Sequence, residues 1–223
     1  MNQKTNEQQV QFYLKLAIEN ARGVQKKICA ANSISLNPTS FGDLRPIPVY
    51  ESEFEHNLLA TANSFKPTVI RWATASQYEY LPAYYKRKKD NGRINIEIVV
   101  ATENYCEARF FAAKELMHCF FDEEHHAPTS SLDMVNELIE TLAINNAGWD
   151  VKPQTLVDQV AWWGALEYLI PNEWIPMLLR LHDEICQKEP ESASKAHFHL
   201  AQLIRVPEAM LRTKLRHVPK AIA

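Results

Sequence analysis

The sequence predicts an α+β fold: N-terminal helices, a small three-stranded antiparallel sheet, then a helical bundle. Two observations carry that expectation. Apolar residues recur at helical spacing near the N-terminus and again from Asn104 onward. Between these stretches, after Pro67, "TVIRWATASQYEYLPAYYKRKKDNGRINIEIVVAT" is rich in β-branched and aromatic residues and lacks helical periodicity.

Taken in order, Glu7–Ala31 places Val10, Tyr13, Leu14, Leu16, Ala17, Ala21 and Val24 on an apolar stripe, an amphipathic helix. "NSISLNPTSFGDLRPIPVY" carries three prolines and a glycine, which marks an irregular connector. "ESEFEHNLLATANSF" reads as a second helix. In the β-rich stretch, Asn91-Gly92 is a hairpin signal, because both residues tolerate positive φ. Ile94, Ile96 and Ile98 alternate with Asn95 and Glu97, so this run is expected as a half-buried strand at a sheet edge. "YCEARFFAAKELMHCFFDEE" is an apolar-rich helix, and "SSLDMVNELIETLAINNAG" is another, capped by Ser131. "TLVDQVAWWGALEYLIP" is a helix stopped by Pro171; "NEWIPMLLRLHDEICQKEP" and a closing helix pair follow. The expected organisation is a helical extension over residues 1–64, packed on a main domain over 65–223.

At 223 residues the chain can bury a sizeable core. A formal charge of −3 gives no global attraction to nucleic acid or an anionic membrane. No apolar run approaches the roughly 20 residues that span a bilayer. The polar start "MNQKTNEQQ" has no signal-peptide core, and the four scattered cysteines suit reduced thiols. A soluble, cytoplasmic protein is expected.

The chemistry concentrates in "RFFAAKELMHCFFDEEHH", residues 109–126. Residues four apart on a helix project from one face, so Lys114 and His118 stand together with Glu115 beside them. Two histidines at that spacing hold one zinc ion, and the glutamate between them activates its water. The string "RFFAAKELMH" resembles the R-F-S/T-x-A-H-E-L/I-G-H signature of ImmA/IrrE-type zinc metallopeptidase domains. Arg109, Phe110, Ala113, Glu115, Leu116 and His118 fall on matching positions. Downstream, "DQVAWWGALEYLIP", Asp158 to Pro171, is similar to the family's E-x-x-A-N-x-F-A-x-x-L-L-M/L-P helix, keeping Ala161, Ala165 and Leu169. "LAQLIRVPEAMLRTKLRHV" resembles the family's C-terminal helix pair, with Val206 and Leu215 in register. The resemblance covers about residues 65–218.

That resemblance implies a metal site of His118 and Asp158, with Glu115 as general base. Lys114, however, stands at the first ligand position, Asp158 replaces the usual Glu, Met117 the usual Gly and Trp162 the usual Asn. An ammonium has three donors and no lone pair; its deprotonation must overcome a pKa of about 10.4. The expected outcome is a pseudo-peptidase in which Lys114 fills the place of the ion, with no cofactor. Such a protein would bind a protein or peptide partner, for example a transcriptional repressor. Arg109, Ile96, Ile98 and Trp162 are its expected binding residues, and Ile94–Ala101 the edge of the groove. The alternative is an active zinc metallopeptidase that cleaves a regulatory protein.

Other clusters read more plainly. Asp122 to His126 form a solvated helix end, and Cys119 faces away from His118. His197 and His199 face apart on a helix, so no metal site is expected there. Lys86, Arg87, Lys88, Lys89 and Arg93, and separately Arg205, Arg212, Lys214, Arg216 and Lys220, are basic. The first set reads as a solvated turn; the second could offer phosphate contacts as a helix-turn-helix mimic, but the resemblance makes that helix pair a bundle component, so nucleic acid is disfavoured as a partner.

Overall fold

The computed structural model describes residues 3–49, 68–74, 83–90, 93–121, 153–188 and 190–217. The predicted helices over 51–65 and 130–148, and the run from Asp122 to His126, lie outside the described residues. Helix predominates: α1 (Gln3–Ala31), then strands β1 (Thr68–Thr74), β2 (Ala83–Asp90) and β3 (Arg93–Val100). After the sheet come α2 (Tyr105–Phe121), α3 (Pro153–Leu169), α4 (Ile175–Lys188), α5 (Ala196–Ile204) and α6 (Glu208–Arg216).

α1 buries Ala17, Ala21, Val24 and Ile28, spaced four, three and four apart, on one face. It stops where Ser33 takes φ 53° and the Ile34 amide reaches back to the Cys29 carbonyl at 2.8 Å. This closing turn satisfies carbonyls that the helix end would leave unpaired. The same device ends α5, with Arg205 at φ 56° and the Val206 amide on the Ala201 carbonyl at 3.0 Å.

The irregular connector after α1 is part of the core. Its Ile34, Leu44, Ile47 and Val49 are buried with the helices. Three buried donors fix its path: Trp174 Nε1 donates to the Ser35 carbonyl at 3.0 Å, Tyr168 Oη to Pro48 at 2.7 Å, and Arg109 Nη2 to Ile47 at 2.5 Å. A loop rich in proline and serine holds one conformation here because the bundle supplies the partners that its carbonyls need. The apolar side chains of α1 and this connector join one cluster with β3, α2, α3, α4 and the closing helices.

The sheet order is β1-β3-β2, with β2 antiparallel to β3 and β1 parallel to it. An all-antiparallel sheet was expected, and the mixed arrangement corrects it. β2 and β3 are joined by two residues, which forces opposite directions. β1 instead lies across β3 from β2, so its direction follows a crossover that no local pattern encodes. The register sets Glu97 opposite Arg71 on β1 and Lys86 on β2, paired positions of opposite charge.

A second correction concerns β3, which is the central strand and not an edge. Ile98, Val99 and Val100 are buried in succession, so both faces are covered at its C-terminal end. A peptide cannot add to Ile94–Ala101 by strand pairing, because neighbours on both sides already hold its backbone. That withdraws Ile96 and Ile98 from the expected groove edge.

α2 begins at Asn104, whose Oδ1 accepts from the Cys106 and Glu107 amides at 3.0 and 3.2 Å, an N-cap. Ala112, Ala113, Leu116 and Met117 are buried as well as Ala108 and Phe110, so the helix is covered nearly all round. Against it lies α3, which starts with Pro153 and buries Val160, Ala161, Ala165 and Leu166. Where they meet, a Cβ on Gly164 would stand 3.0 Å from Met117 Cγ.

Candidate functional site

Helical spacing puts Lys114, Glu115 and His118 on adjoining positions of α2, and α3 brings Asp158 across to them. The Lys114 ammonium pairs with Asp158 Oδ1 and stands 3.3 Å from Glu115 Oε1. His118 Nε2 lies 3.3 Å from the same Asp158 oxygen and 3.8 Å from Glu115 Oε2. The four side chains differ in access: Glu115 is 4%, His118 10%, Lys114 16% and Asp158 33% exposed. The cluster is closed at its base and open on the Asp158 side.

Its electrostatics follow from that packing. Burial alone would lower the Lys114 pKa, but the Glu115 and Asp158 carboxylates outweigh it and hold the amine above the ordinary lysine range. For Asp158 burial would raise the pKa, yet the His118 hydrogen bond and the Lys114 charge hold it well below the usual carboxylate range. The lysine is a fixed cation and Asp158 a fixed anion.

These residues do not fit a catalytic zinc. A protonated amine has no lone pair for a metal, and the position that needs a ligand carries one whose protonated form is reinforced. His118 and Asp158 remain, one donor short of the three protein ligands of a catalytic site. Among the described residues, no three His, Cys, Asp or Glu side chains are grouped to hold an ion.

The other expected binding residues are placed differently. Arg109 is 1% exposed, donating from Nε to the Arg205 carbonyl at 3.0 Å and from Nη2 to Ile47. Its guanidinium ties α2 to the α5–α6 turn and to the connector, so its place is inside the fold and not at a binding surface. Ile98 is fully buried in the core. Trp162 is half-buried on α3, one turn after Asp158, and packs edge-on against Phe110 and Trp163 with centroids 5.8 and 5.0 Å away. Trp162 follows the cluster's Asp158 by one turn with a side chain that is half-buried.

Two clusters escaped the sequence reading. His197 lies against His182 of α4 with ring centroids 4.4 Å apart and planes inclined by 56°, and Cys186 Sγ lies 3.9 Å from both His182 ring nitrogens. The signal was the four-residue spacing of His182 and Cys186, whereas attention to His197 and His199 on one helix missed it. The second is buried: Glu167 accepts from Arg22 Nε at 2.6 Å and from Lys214 Nζ at 2.5 Å. Lys214, weighed above as a phosphate contact, is therefore an interior partner. Met117 Cγ against Gly164 also went unread.

No family, curated protein or solved structure matches the chain. The described helices include none long and apolar enough to cross a membrane.

Proposed function

We propose that the chain is a pseudo-peptidase of ImmA/IrrE-like descent, a binding protein in which a lysine stands where the ancestral metal stood. The observation that carries this reading is the Lys114 ammonium, paired at once with Asp158 and Glu115 between α2 and α3. Removing a dication from such a pocket leaves two carboxylates in mutual repulsion. A permanently protonated amine replaces part of that charge and preserves the packing of the two helices. Glu115, held beside Lys114 and His118, then serves the fold instead of polarising water. The partner in this reading is a protein or peptide, a transcriptional repressor being the kind the resemblance suggests.

The experiment compares the wild type with Lys114→His, both purified without chelator. Elemental analysis is expected to find substoichiometric zinc in the wild type and a rise toward one ion per chain in the variant. Near one zinc per chain in the wild type overturns the reading. Peptide cleavage by the wild type that disappears in Glu115→Gln would establish the active metallopeptidase in its place.

A further inference from the structure

We propose that His182 of α4 and His197 of α5 form a proton-sensitive contact, which holds the start of α5 against α4 while both rings are neutral and loosens when both are protonated. The inference concerns other helices than the α2–α3 cluster and does not depend on the pseudo-peptidase reading.

The two ring centroids are 4.4 Å apart, with planes inclined by 56°, and the rings come from separate helices. Neutral imidazoles pack at this distance as other aromatic rings do. Two imidazolium ions at the same distance repel, and partial burial weakens the screening between them. Protons reach the pair from solvent, since the His182 side chain is 23% exposed and His197 is half-buried.

The surrounding charges decide what a second proton meets. On α4, Asp183 Oδ1 stands 3.3 Å from His182 Nδ1, but Asp183 is 72% exposed and so a weak counter-ion. Cys186 Sγ lies 3.9 Å from both nitrogens of the same ring. On α6, Glu208 favours a charged His197, whereas Arg212 and Arg216 oppose it. Arg212 Nη2 already holds Glu208 Oε1 at 2.6 Å. Lys195 adds a positive charge at the N-cap of α5. His197 is the second residue of that helix, where the positive end of the helix dipole disfavours a cation. Burial, His182, Arg212 and Arg216 together hold the His197 pKa below the ordinary imidazole value of 6.5 despite Glu208.

The contact sits beside apolar packing. Ala196, next to His197, is fully buried, and Leu200, Ala201 and Ile204 follow it into the core. Like charge at the two rings therefore works against the first turn of α5. A histidine whose folded pKa is lowered contributes its full stability above 6.5, and that contribution is lost as pH falls from there toward the folded value.

The test takes the full chain from about pH 7.5 to about pH 5, reading amide hydrogen exchange corrected for its intrinsic rate and NMR titration of the histidine rings. Protection of the α5 amides is expected to fall at least about threefold further than that of the α1 amides, with the His197 ring titrating below 6.5. His197→Gln should abolish that difference. His182→Gln should move the His197 midpoint up toward 6.5 and reduce the loss of protection. An equal fall in wild type and His197→Gln, or a His197 midpoint that does not move in His182→Gln, overturns the proposal. Circular dichroism reports whether each variant folds. If neither does, the wild type decides alone: a His197 midpoint at or above 6.5 overturns the proposal, and a lower one with the loss of protection concentrated in α5 supports it.

Discussion

Two lysines in this molecule are paired with acid between helices, and they respond to burial in opposite directions. Lys114 has two carboxylates about it, so its pKa rises although burial opposes the charge. Lys214 is lowered: burial dominates, the Glu167 and Glu173 carboxylates only partly offset it, and Arg22 adds repulsion. The acids differ likewise. Glu167 gives one oxygen to each cation, Oε1 to Arg22 and Oε2 to Lys214. Gln25 meanwhile donates to the Glu167 and Tyr168 carbonyls at 2.7 Å each. At Asp158 the Lys114 ammonium and the His118 ring both approach Oδ1. Two bases around one buried acid make a strut; two acids around one lysine, open on the Asp158 side, leave the pair in reach of solvent.

The strut should fail harder than the site. Glu167 is 3% exposed and joins α1 to α6 through α3, so Glu167→Ala leaves Lys214 buried without its counter-ion. Breaking a buried pair in this way costs about 3 kcal/mol or more. Urea unfolding measures it, and a loss below about 1 kcal/mol would show that Arg22 and Lys214 escape to water and that the contrast is false.

At the open site the corresponding change is Lys114→Met. Asp158 is a third exposed, so screening reduces the effect to about 1–2 kcal/mol at neutral pH. The pH dependence has a definite sign. A depressed carboxylate pKa stabilises the fold above its unfolded value, about 3.9, and that contribution is lost as pH falls toward the folded value. Without Lys114 the depression is smaller, so the variant has less to lose in acid. The gap in urea midpoint between wild type and variant should therefore narrow from pH 7 to pH 3; a gap that does not change removes the ion pair as its cause.

How far these features could be read from residues alone depends on how local they are. Lys114, Glu115 and His118 were legible because α-helical geometry fixes neighbours three and four apart. Asp158 was reached only through a resemblance between motifs, and it does meet Lys114. Alternation along Ile94–Ile98 marked a strand, yet alternation says nothing about which strands flank it, so a central strand was taken for an edge. Arg109 looked like part of a site because its acceptors, Arg205 and Ile47, lie 96 and 62 residues away. Glu167 had no signal at all: its cations come from positions 145 and 47 residues distant. Charges that pair across such separations look solvated until the chain is folded.

The smallest effect concerns the spacing of α2 and α3 beside the open site. The resemblance has glycine at position 117, where this chain has methionine, and the glycine here is Gly164 on the facing helix. Helical propensity alone makes Gly→Ala favourable by about 0.5–1 kcal/mol. Against that, a Cβ at 164 would meet Met117 Cγ at 3.0 Å and Sδ at 3.2 Å, and Cγ sits near the root of a fully buried side chain that has little room to turn. Overpacking of this kind costs about 1–2 kcal/mol, so Gly164→Ala should be net destabilising by up to about 1 kcal/mol. In a Met117→Ala background the obstruction is gone and the same substitution should change sign, becoming stabilising by about 0.5 kcal/mol or more. A double-mutant cycle on urea unfolding reads that reversal directly. If Gly164→Ala has the same effect in both backgrounds, the two helices are not spaced by this contact, and the geometry that pairs Lys114 with Asp158 must be set elsewhere along their length.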